Sequence, residues 1–219
     1  MFFRVGTRTS SLALRQVDEV IGRLREFYPE IKIETVGIDT YGDKDKITPI
    51  SEMEGTDFFT REIEGALLKG EIDLAVHSAK DLPDKISEGL YLAAITKSID
   101  PYEALVSKNN LKLYELPYEA EIGTSSQRRK TQLKAYRNDF KMVDIRGNIQ
   151  ERLHRLDQGD LEAVIVAACA LVRLGLEERI TERISFKILK PHPWQGSLAI
   201  ETREEDTDLI KLLSKIDTR

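Results

Sequence analysis

Residues 73–83, which read DLAVHSAKDLP, join an apolar run to a cluster of polar side chains. The apolar run predicts a short buried strand over 73–77, and Pro83 ends the pattern. In open α/β sheets, ligands bind at the carboxyl ends of the strands. The polar side chains that this strand delivers to such an end are His77, Ser78, Lys80 and Asp81. We therefore expect a ligand site here, with Asp81 as the candidate ligand-facing carboxylate.

Strand and helix patterns alternate along the chain on both sides of this stretch. The predicted strands lie at 2–6, 31–36, 73–77, 90–95, 104–107, 121–124, 140–145, 163–166 and 197–202. The predicted helices end near residues 27, 68, 138, 158, 174 and 216, and a polar loop covers 39–55. This alternation predicts an α/β fold with mixed, mostly parallel sheets.

Two interruptions divide the pattern into two predicted lobes. Proline-containing breaks occur at 98–101 and at 190–194. We expect lobe 1 to contain residues 1–97 and 197–219, and lobe 2 to contain residues 101–191. The hinges are then expected near 98–100 and 191–196, which makes lobe 1 discontinuous and gives it both termini.

Arginine-bearing turns follow several predicted strands and precede helices. They are GTRTSS at 6–11, GTSSQRR at 123–129 and RGN at 146–148, with Arg152 one helical turn later. Free N–H groups at a helix start attract anions, and guanidinium groups bind carboxylates or phosphates in a bidentate way. The alternative interpretation is a set of capped surface helices with solvated arginines. Residues 121–155 carry nine Lys and Arg against four Asp and Glu, so a local site for a small polyanion is the sharper prediction.

The composition of the 219-residue chain excludes several classes of protein. The net charge of −5 does not favour nucleic acid, and no segment has the roughly 18 consecutive apolar residues of a membrane span. The single cysteine cannot form an intrachain disulfide, and three scattered histidines offer no metal-binding pair. We therefore expect a cytoplasmic protein with no nucleic acid, membrane or metal as a partner.

Taken together, these segments resemble the porphobilinogen deaminase (hydroxymethylbilane synthase) family. The stretches that carry the resemblance are GTRTSSLAL at 6–14, FFTREIE at 58–64, DLAVHSAKDLP at 73–83, GTSSQRR at 123–129, RGN at 146–148, LVRLGL at 171–176 and QG at 195–196. The resemblance implies two periplasmic-binding-protein-like (type II) lobes with a cleft between them. It also implies a transferase of porphyrin biosynthesis, which condenses four porphobilinogen molecules into a linear tetrapyrrole and releases ammonia.

The resemblance further implies roles for individual residues. Asp81 would be the catalytic carboxylate, which holds the pyrrole N–H groups and stabilises a cationic intermediate. The substrate- and cofactor-binding residues would be Arg8, Ser10, Gln16, Lys80, Thr124, Ser125, Ser126, Arg128, Arg129, Arg146, Gly147, Asn148, Arg152, Arg173, Gln195 and Gly196. The arginines would bind the acetate and propionate groups of porphobilinogen and of the oligopyrrole intermediates.

The cofactor that the resemblance implies is dipyrromethane, which family members attach to a cysteine of a third, C-terminal domain. The chain ends at Arg219, so we expect that domain to be absent here or to be supplied by a separate chain. The only cysteine, Cys169, does not match the position of the primer cysteine and is predicted to lie in the core. The alternative function is that of a non-catalytic binding protein for a pyrrole or another polycarboxylate.

Overall fold

A computed structural model of the chain describes residues 1–45, 57–83 and 85–219. Over these residues the strands are β1 (Phe2–Thr7), β2 (Lys32–Gly37), β3 (Leu74–Ser78), β4 (Leu90–Ile95), β5 (Glu103–Ser107), β6 (Glu121–Gly123), β7 (Lys141–Val143), β8 (Ala163–Ala167), β9 (Glu182–Ile184) and β10 (Leu198–Arg203). The α-helices are α1 (Ser11–Phe27), α2 (Tyr41–Lys44), α3 (Arg61–Leu68), α4 (Gln127–Tyr136), α5 (Ile149–Asp157), α6 (Ala168–Arg173) and α7 (Thr207–Leu213). The predicted α/β class is confirmed. The predicted loop over 39–55 lies largely outside the described residues.

The described residues form two compact units. Unit 1 contains residues 1–45, 57–83, 85–99 and 197–219, and unit 2 contains residues 100–196. The strand order is β2-β1-β3-β10-β4 in the sheet of unit 1 and β7-β6-β8-β5-β9 in the sheet of unit 2. The same arrangement of five strands therefore occurs twice in the chain.

Both sheets are mixed. In unit 1, β1 pairs in parallel with β2 and β3, whereas β10 pairs antiparallel with β3 and β4. In unit 2, β6 pairs in parallel with β7 and β8, whereas β5 pairs antiparallel with β8 and β9. This division is more even than the parallel majority that the alternation predicts. The reason is that β5 and β10 each follow a segment of the other unit, so no βαβ crossover sets their direction.

In each unit, a core of buried apolar side chains supports the strands whose ends bear the sequence motifs. In unit 1, the Ser10 hydroxyl caps α1 by accepting a hydrogen bond from the Ala13 N–H (3.3 Å), and Val17, Val20 and Leu24 pack in the core with Val76 of β3. In unit 2, the core includes Leu105, Ile122, Leu133, Phe140 and Ile165. Burial of each such side chain contributes roughly 1.5–3 kcal/mol to the stability of the unit whose sheet carries these strand ends.

Element ends differ from the predictions by a few residues. The helix predicted to end near residue 68 begins at Arg61, since 58–60 form a turn, and the short edge strand β9 has no clear sequence signal. Among the described residues, no helix combines the length and the apolar character needed to cross a membrane. The same part of the chain holds no cluster of three or more potential metal ligands.

Candidate functional site

A pocket in unit 1 lies at the carboxyl end of β3, where the opening motif ends. Its lining includes Arg8, Ser10, Gln16, His77, Ser78 and Asp81, and we call it the Asp81 pocket. Asp81 ends a 3₁₀ turn (Ala79–Asp81) directly after β3, and its side chain is exposed. The predicted site carboxylate thus stands at the rim of the pocket, where it can face a ligand in solvent.

Arg8 of the Asp81 pocket is paired with a carboxylate from α2. Its Nε lies 3.1 Å from both oxygens of Asp43, its Nη2 also donates to Asp43 Oδ1, and its guanidinium lies 4.4 Å from the centre of the Phe59 ring. Burial acts to raise the pKa of Asp43, but the hydrogen bonds and charge of Arg8 and the bonds from Thr40 outweigh it, so the pKa is lowered. Arg8 is therefore already bound, in this structure, to a carboxylate of its own chain.

The other unit 1 residues that the sequence predicts for binding have different surroundings. Gln16 Nε2 donates to Ser78 Oγ (2.8 Å), which ties α1 to the end of β3. Ser10 lines the pocket but also caps α1. Lys80 is partly buried and is not among the described side chains that line the pocket. The structure thus brings Arg8, Ser10, Gln16 and Asp81 together and leaves Lys80 beside them.

In unit 2, four predicted arginines form a second group, which we call the arginine cluster: Arg128, Arg129, Arg146 and Arg152. Glu103, the first residue of β5, is fully buried and forms ion pairs with Arg128 and with Arg129 (2.6 Å for the latter). Arg129 also donates through Nη1 to the Ile165 carbonyl (3.0 Å), and Arg128 donates to the Lys190 carbonyl. Glu103 therefore fixes the orientation of two of the four guanidinium groups.

Arg152 shows that positive charge remains in excess in the cluster. Burial lowers the pKa of Arg152 to about 10, and repulsion from Arg129 and Arg146 contributes in the same direction, whereas the charge of Glu151 acts against them. Its Nε donates to the Gly147 carbonyl (2.9 Å), which holds the side chain in place. A bound anion would relieve this repulsion, because an opposite charge favours the ionised guanidinium. The cluster therefore has the electrostatic character that an anion site requires.

The loop before α4 supplies hydroxyl groups near the start of a helix. Ser126 is the N-cap residue of α4, but its side chain makes no capping hydrogen bond. Thr124 is fully buried, and its hydroxyl has no hydrogen-bond partner among the described residues. Ser125 has an internal role, since its hydroxyl donates to the Ile145 carbonyl (2.7 Å) and accepts from the Ile145 N–H (2.9 Å). Thr124 and Ser126 therefore suit ligand contact better than Ser125 does.

Gly147 and Asn148 shape the start of α5. Gly147 has a φ of 96°, and a Cβ at this position would lie 2.4 Å from the Glu151 carboxylate, so only glycine fits. The Asn148 side chain accepts from the Glu151 N–H (2.9 Å), and Glu151 accepts from the Asn148 N–H (2.7 Å). This capping box occupies the side-chain oxygen of Asn148 and holds the start of α5, the helix that carries Arg152.

The last predicted residues lie near the end of unit 2. Arg173 donates to the Gly196 carbonyl (2.8 Å). Gln195 is fully buried and donates to the carbonyls of Pro101 and Tyr102 (3.0 Å each). These contacts join the start and the end of unit 2, which is a structural role. Cys169 is also buried, at the start of α6, so its thiol is not presented to solvent.

Sequence patterns missed several charged residues of these sites. Asp43, Glu103 and Glu201 bind Arg8, the arginine pair and His77 respectively, and none of them lies in a strand-to-helix turn. Phe59, which stacks on Arg8, belongs to the FFTREIE stretch, so that motif was the available signal. The acidic residues gave no such signal, because a lone carboxylate in a strand or short helix has no diagnostic spacing.

Fold comparisons identify the class of protein. The regulatory domain of Vibrio vulnificus OxyR2 matches with a TM-score of 0.55 and 13% identity, and covers 99% of this chain and 96% of that one. The probable amino-acid ABC transporter extracellular-binding protein ytmK of Bacillus subtilis matches with a TM-score of 0.54 and 13% identity, over 99% of this chain and 90% of that one. At this level of identity the likeness concerns the fold alone. The two units thus have the periplasmic-binding-protein-like (type II) fold.

Sequence comparisons then give the family. Residues 3–211 match the family model described as porphobilinogen deaminase, dipyromethane cofactor binding domain. Porphobilinogen deaminase of Natranaerobius thermophilus is 46% identical over 218 residues, covering 99% of this chain and 70% of that protein. That of Pelotomaculum thermopropionicum is 44% identical over 215 residues, covering 98% and 69%. The chain therefore belongs to the porphobilinogen deaminase family, a transferase family of tetrapyrrole biosynthesis, and the predicted resemblance is confirmed.

Proposed function

We propose that the chain acts as a hydroxymethylbilane synthase, which condenses four porphobilinogen molecules into a linear tetrapyrrole and releases ammonia. The observation that carries this proposal is the arginine cluster, where burial and the charges of Arg129 and Arg146 depress the pKa of Arg152. Each pyrrole of the proposed substrate bears two carboxylates, so oligopyrroles match a site with excess positive charge. Membership of the family supports the same reaction.

In this proposal the two units contribute different chemistry. The arginine cluster of unit 2, helped by Thr124 and Ser126, binds acetate and propionate groups. In unit 1, Asp81 stabilises the cationic pyrrole that forms when ammonia leaves, because an exposed carboxylate at a pocket rim can face that charge. Arg8 exchanges Asp43 for a substrate carboxylate, which leaves the number of its ion pairs unchanged.

The cofactor that the family implies, dipyrromethane, fits part of this chain. Its carboxylates suit the arginine cluster, and when bound it would supply the pyrrole rings to which substrate is added. A covalent link through this chain does not fit, since the single cysteine, Cys169, is buried in unit 2. We therefore propose that the described residues hold this group by ion pairs and hydrogen bonds.

Turnover of porphobilinogen tests the proposal directly. The purified chain is incubated with porphobilinogen, with and without preformed bilane primer, and ammonia and uroporphyrin (after acid and oxidation) are measured. Asp81→Asn should lower kcat by about 10²-fold or more while it leaves the melting temperature unchanged. Asp208→Asn, at an exposed position of α7, is the matched control and should behave like the parent chain.

The test also separates the proposal from its alternative. Tight binding of porphobilinogen without ammonia release, unaffected by Asp81→Asn, would identify a non-catalytic binding protein. Failure of both turnover and binding at high protein concentration would overturn the proposal and the alternative together.

A further inference from the structure

One buried contact of unit 1, between a histidine and a glutamate, has no role in the chemistry proposed above. His77 Nε2 lies 3.1 Å from Glu201 Oε2, and the two side chains are 4% and 0% exposed. His77 also lines the Asp81 pocket, whereas Glu201 lies behind it in β10. The pair therefore places a proton-carrying side chain between the core and the candidate site.

The strand register explains how the two side chains meet. On the antiparallel pair β3–β10, His77 is directly opposite Ala199, and Glu201 is two residues further along on the same face. The small side chain of Ala199 leaves room for Glu201 to reach diagonally to the imidazole. The contact therefore forms only because β10 lies beside β3 in the sheet.

The surroundings of Glu201 make the pair energetically significant. In the described part of the chain, neither Glu201 oxygen has a hydrogen bond of good geometry, and the same is true of His77 Nε2. Burial of a carboxylate without a partner is strongly destabilising, so among the described residues the contact with His77 is what compensates Glu201. The other charged groups that line the same pocket are Arg8, which is neutralised by Asp43, and Asp81.

We propose that His77 is a second proton-carrying residue of the Asp81 pocket and that Glu201 is its positioning residue. This inference rests on the proposed function. The reaction moves one proton per cycle. A proton from His77 goes to the substrate amine, whose C–N bond breaks with the electron pair on nitrogen, and ammonia leaves. The α-carbon of the attacking pyrrole then forms a C–C bond to the freed methylene carbon, its C–H bond breaks, the electron pair of that bond returns to the ring, and His77 takes the proton. The atoms and electrons of this cycle balance with substrate as the only reactant.

A double variant tests the proposal without leaving an unpaired charge in the core, and a second variant serves as its control. The double variant His77→Gln/Glu201→Gln replaces the ion pair by two amides of similar shape, so it should fold. We expect its kcat to fall by about 10²-fold, with KM changed by less than about threefold, because proton transfer contributes on this scale. Glu64→Gln, which changes another buried carboxylate of unit 1 away from the pocket, is the matched control and should keep full turnover.

Azole rescue separates proton transfer from packing. In His77→Ala, added imidazole should restore part of kcat, and a series of azoles of different acidity should give rates that follow their acidity. Restoration that is the same for all azoles would show simple filling of the cavity and overturn the proposal. Unchanged kcat in the double variant would overturn it while the proposed function stands.

A binding measurement tests the proposal if the parent chain has no turnover. Calorimetry of porphobilinogen binding in two buffers of different ionisation enthalpy gives the number of protons exchanged on binding. If the parent chain has no turnover, the proposed function fails. In that case the proton-carrying role stands only if binding exchanges protons in the parent chain and not in the double variant, and equal proton exchange would overturn it.

Discussion

The arginines of the two units have unlike electrostatic environments. In unit 1, Arg8 has one carboxylate partner of its own, Asp43, and both side chains are partly exposed (29% and 22%). In unit 2, the fully buried Glu103 forms ion pairs with two arginines. The pKa of Arg152 is lowered there by burial and by two neighbouring arginines. The Arg8–Asp43 pair is balanced in charge, and Arg8 can exchange its partner. In the arginine cluster, by contrast, neighbouring positive charges repel one another.

This difference shows how the two units divide binding and stability. A balanced pair near the surface contributes little to folding and can exchange partners. Excess charge inside a structure lowers the stability of the free protein and is relieved when an anion binds. We therefore expect unit 2 to provide most of the affinity for a polycarboxylate, at the expense of its own stability.

Removal of the buried counter-charge should give the largest effect. Glu103→Gln leaves the buried Arg129 without its carboxylate, and loss of one partner of a buried ion pair is destabilising by about 3–5 kcal/mol. Denaturant unfolding measures this change. Glu162→Gln, which removes a partly exposed pair with Lys108 in the same unit, is the control and should cost less than about 1 kcal/mol. Similar losses in both variants would contradict the proposed importance of burial.

Arg152→Gln should have an intermediate effect, with opposite signs for binding and stability. The lowering of the pKa to about 10 corresponds to a destabilisation of the folded state by roughly 3 kcal/mol at neutral pH. Loss of the hydrogen bond to the Gly147 carbonyl offsets part of this, so we expect a net gain of about 1–2 kcal/mol in unfolding free energy. Affinity for porphobilinogen, measured by calorimetry, should fall about tenfold.

The sign of the pH dependence follows from the same shift. Since the folded-state pKa of Arg152 is depressed, the unfolded chain binds more protons above about pH 10, and this contribution to stability rises with pH there. Arg155→Gln, at a more exposed position of the same helix, should change neither stability nor affinity appreciably. A destabilised Arg152→Gln that keeps its affinity would show that the cluster is a structural feature.

Asp43→Asn should have the smallest effect. The pair with Arg8 is partly exposed, so its loss should cost about 1 kcal/mol at pH 7. Because the folded-state pKa of Asp43 is lowered, its contribution is present above the ordinary value and is lost as the pH falls through the folded value. The difference in unfolding free energy from the parent chain should therefore be smaller at pH 3 than at pH 7. An equal difference at both pH values would mean that the pair is not the cause.

Much of the fold could be predicted from local patterns. The apolar run before His77, the Ser10 cap and the Asn148 capping box each follow from neighbouring residues, and the structure has the corresponding elements. The direction of β10 could not be predicted, because it depends on how the chain returns from unit 2 rather than on its own residues. The sequence pattern shows only that strands and helices alternate and not that the chain returns from unit 2, so it favoured parallel pairing.

The sequence by itself determined the strand–helix alternation, the arginine-bearing turns and the motifs of the family, because all of these are properties of short segments. Only the tertiary structure decided which charges meet. Asp43 reaches Arg8, Glu103 reaches Arg129, and Glu201 reaches His77 from distant parts of the chain. Such pairs arise where strand order and burial bring side chains together and where removal from water makes an unpaired charge unfavourable, and no local periodicity encodes either condition.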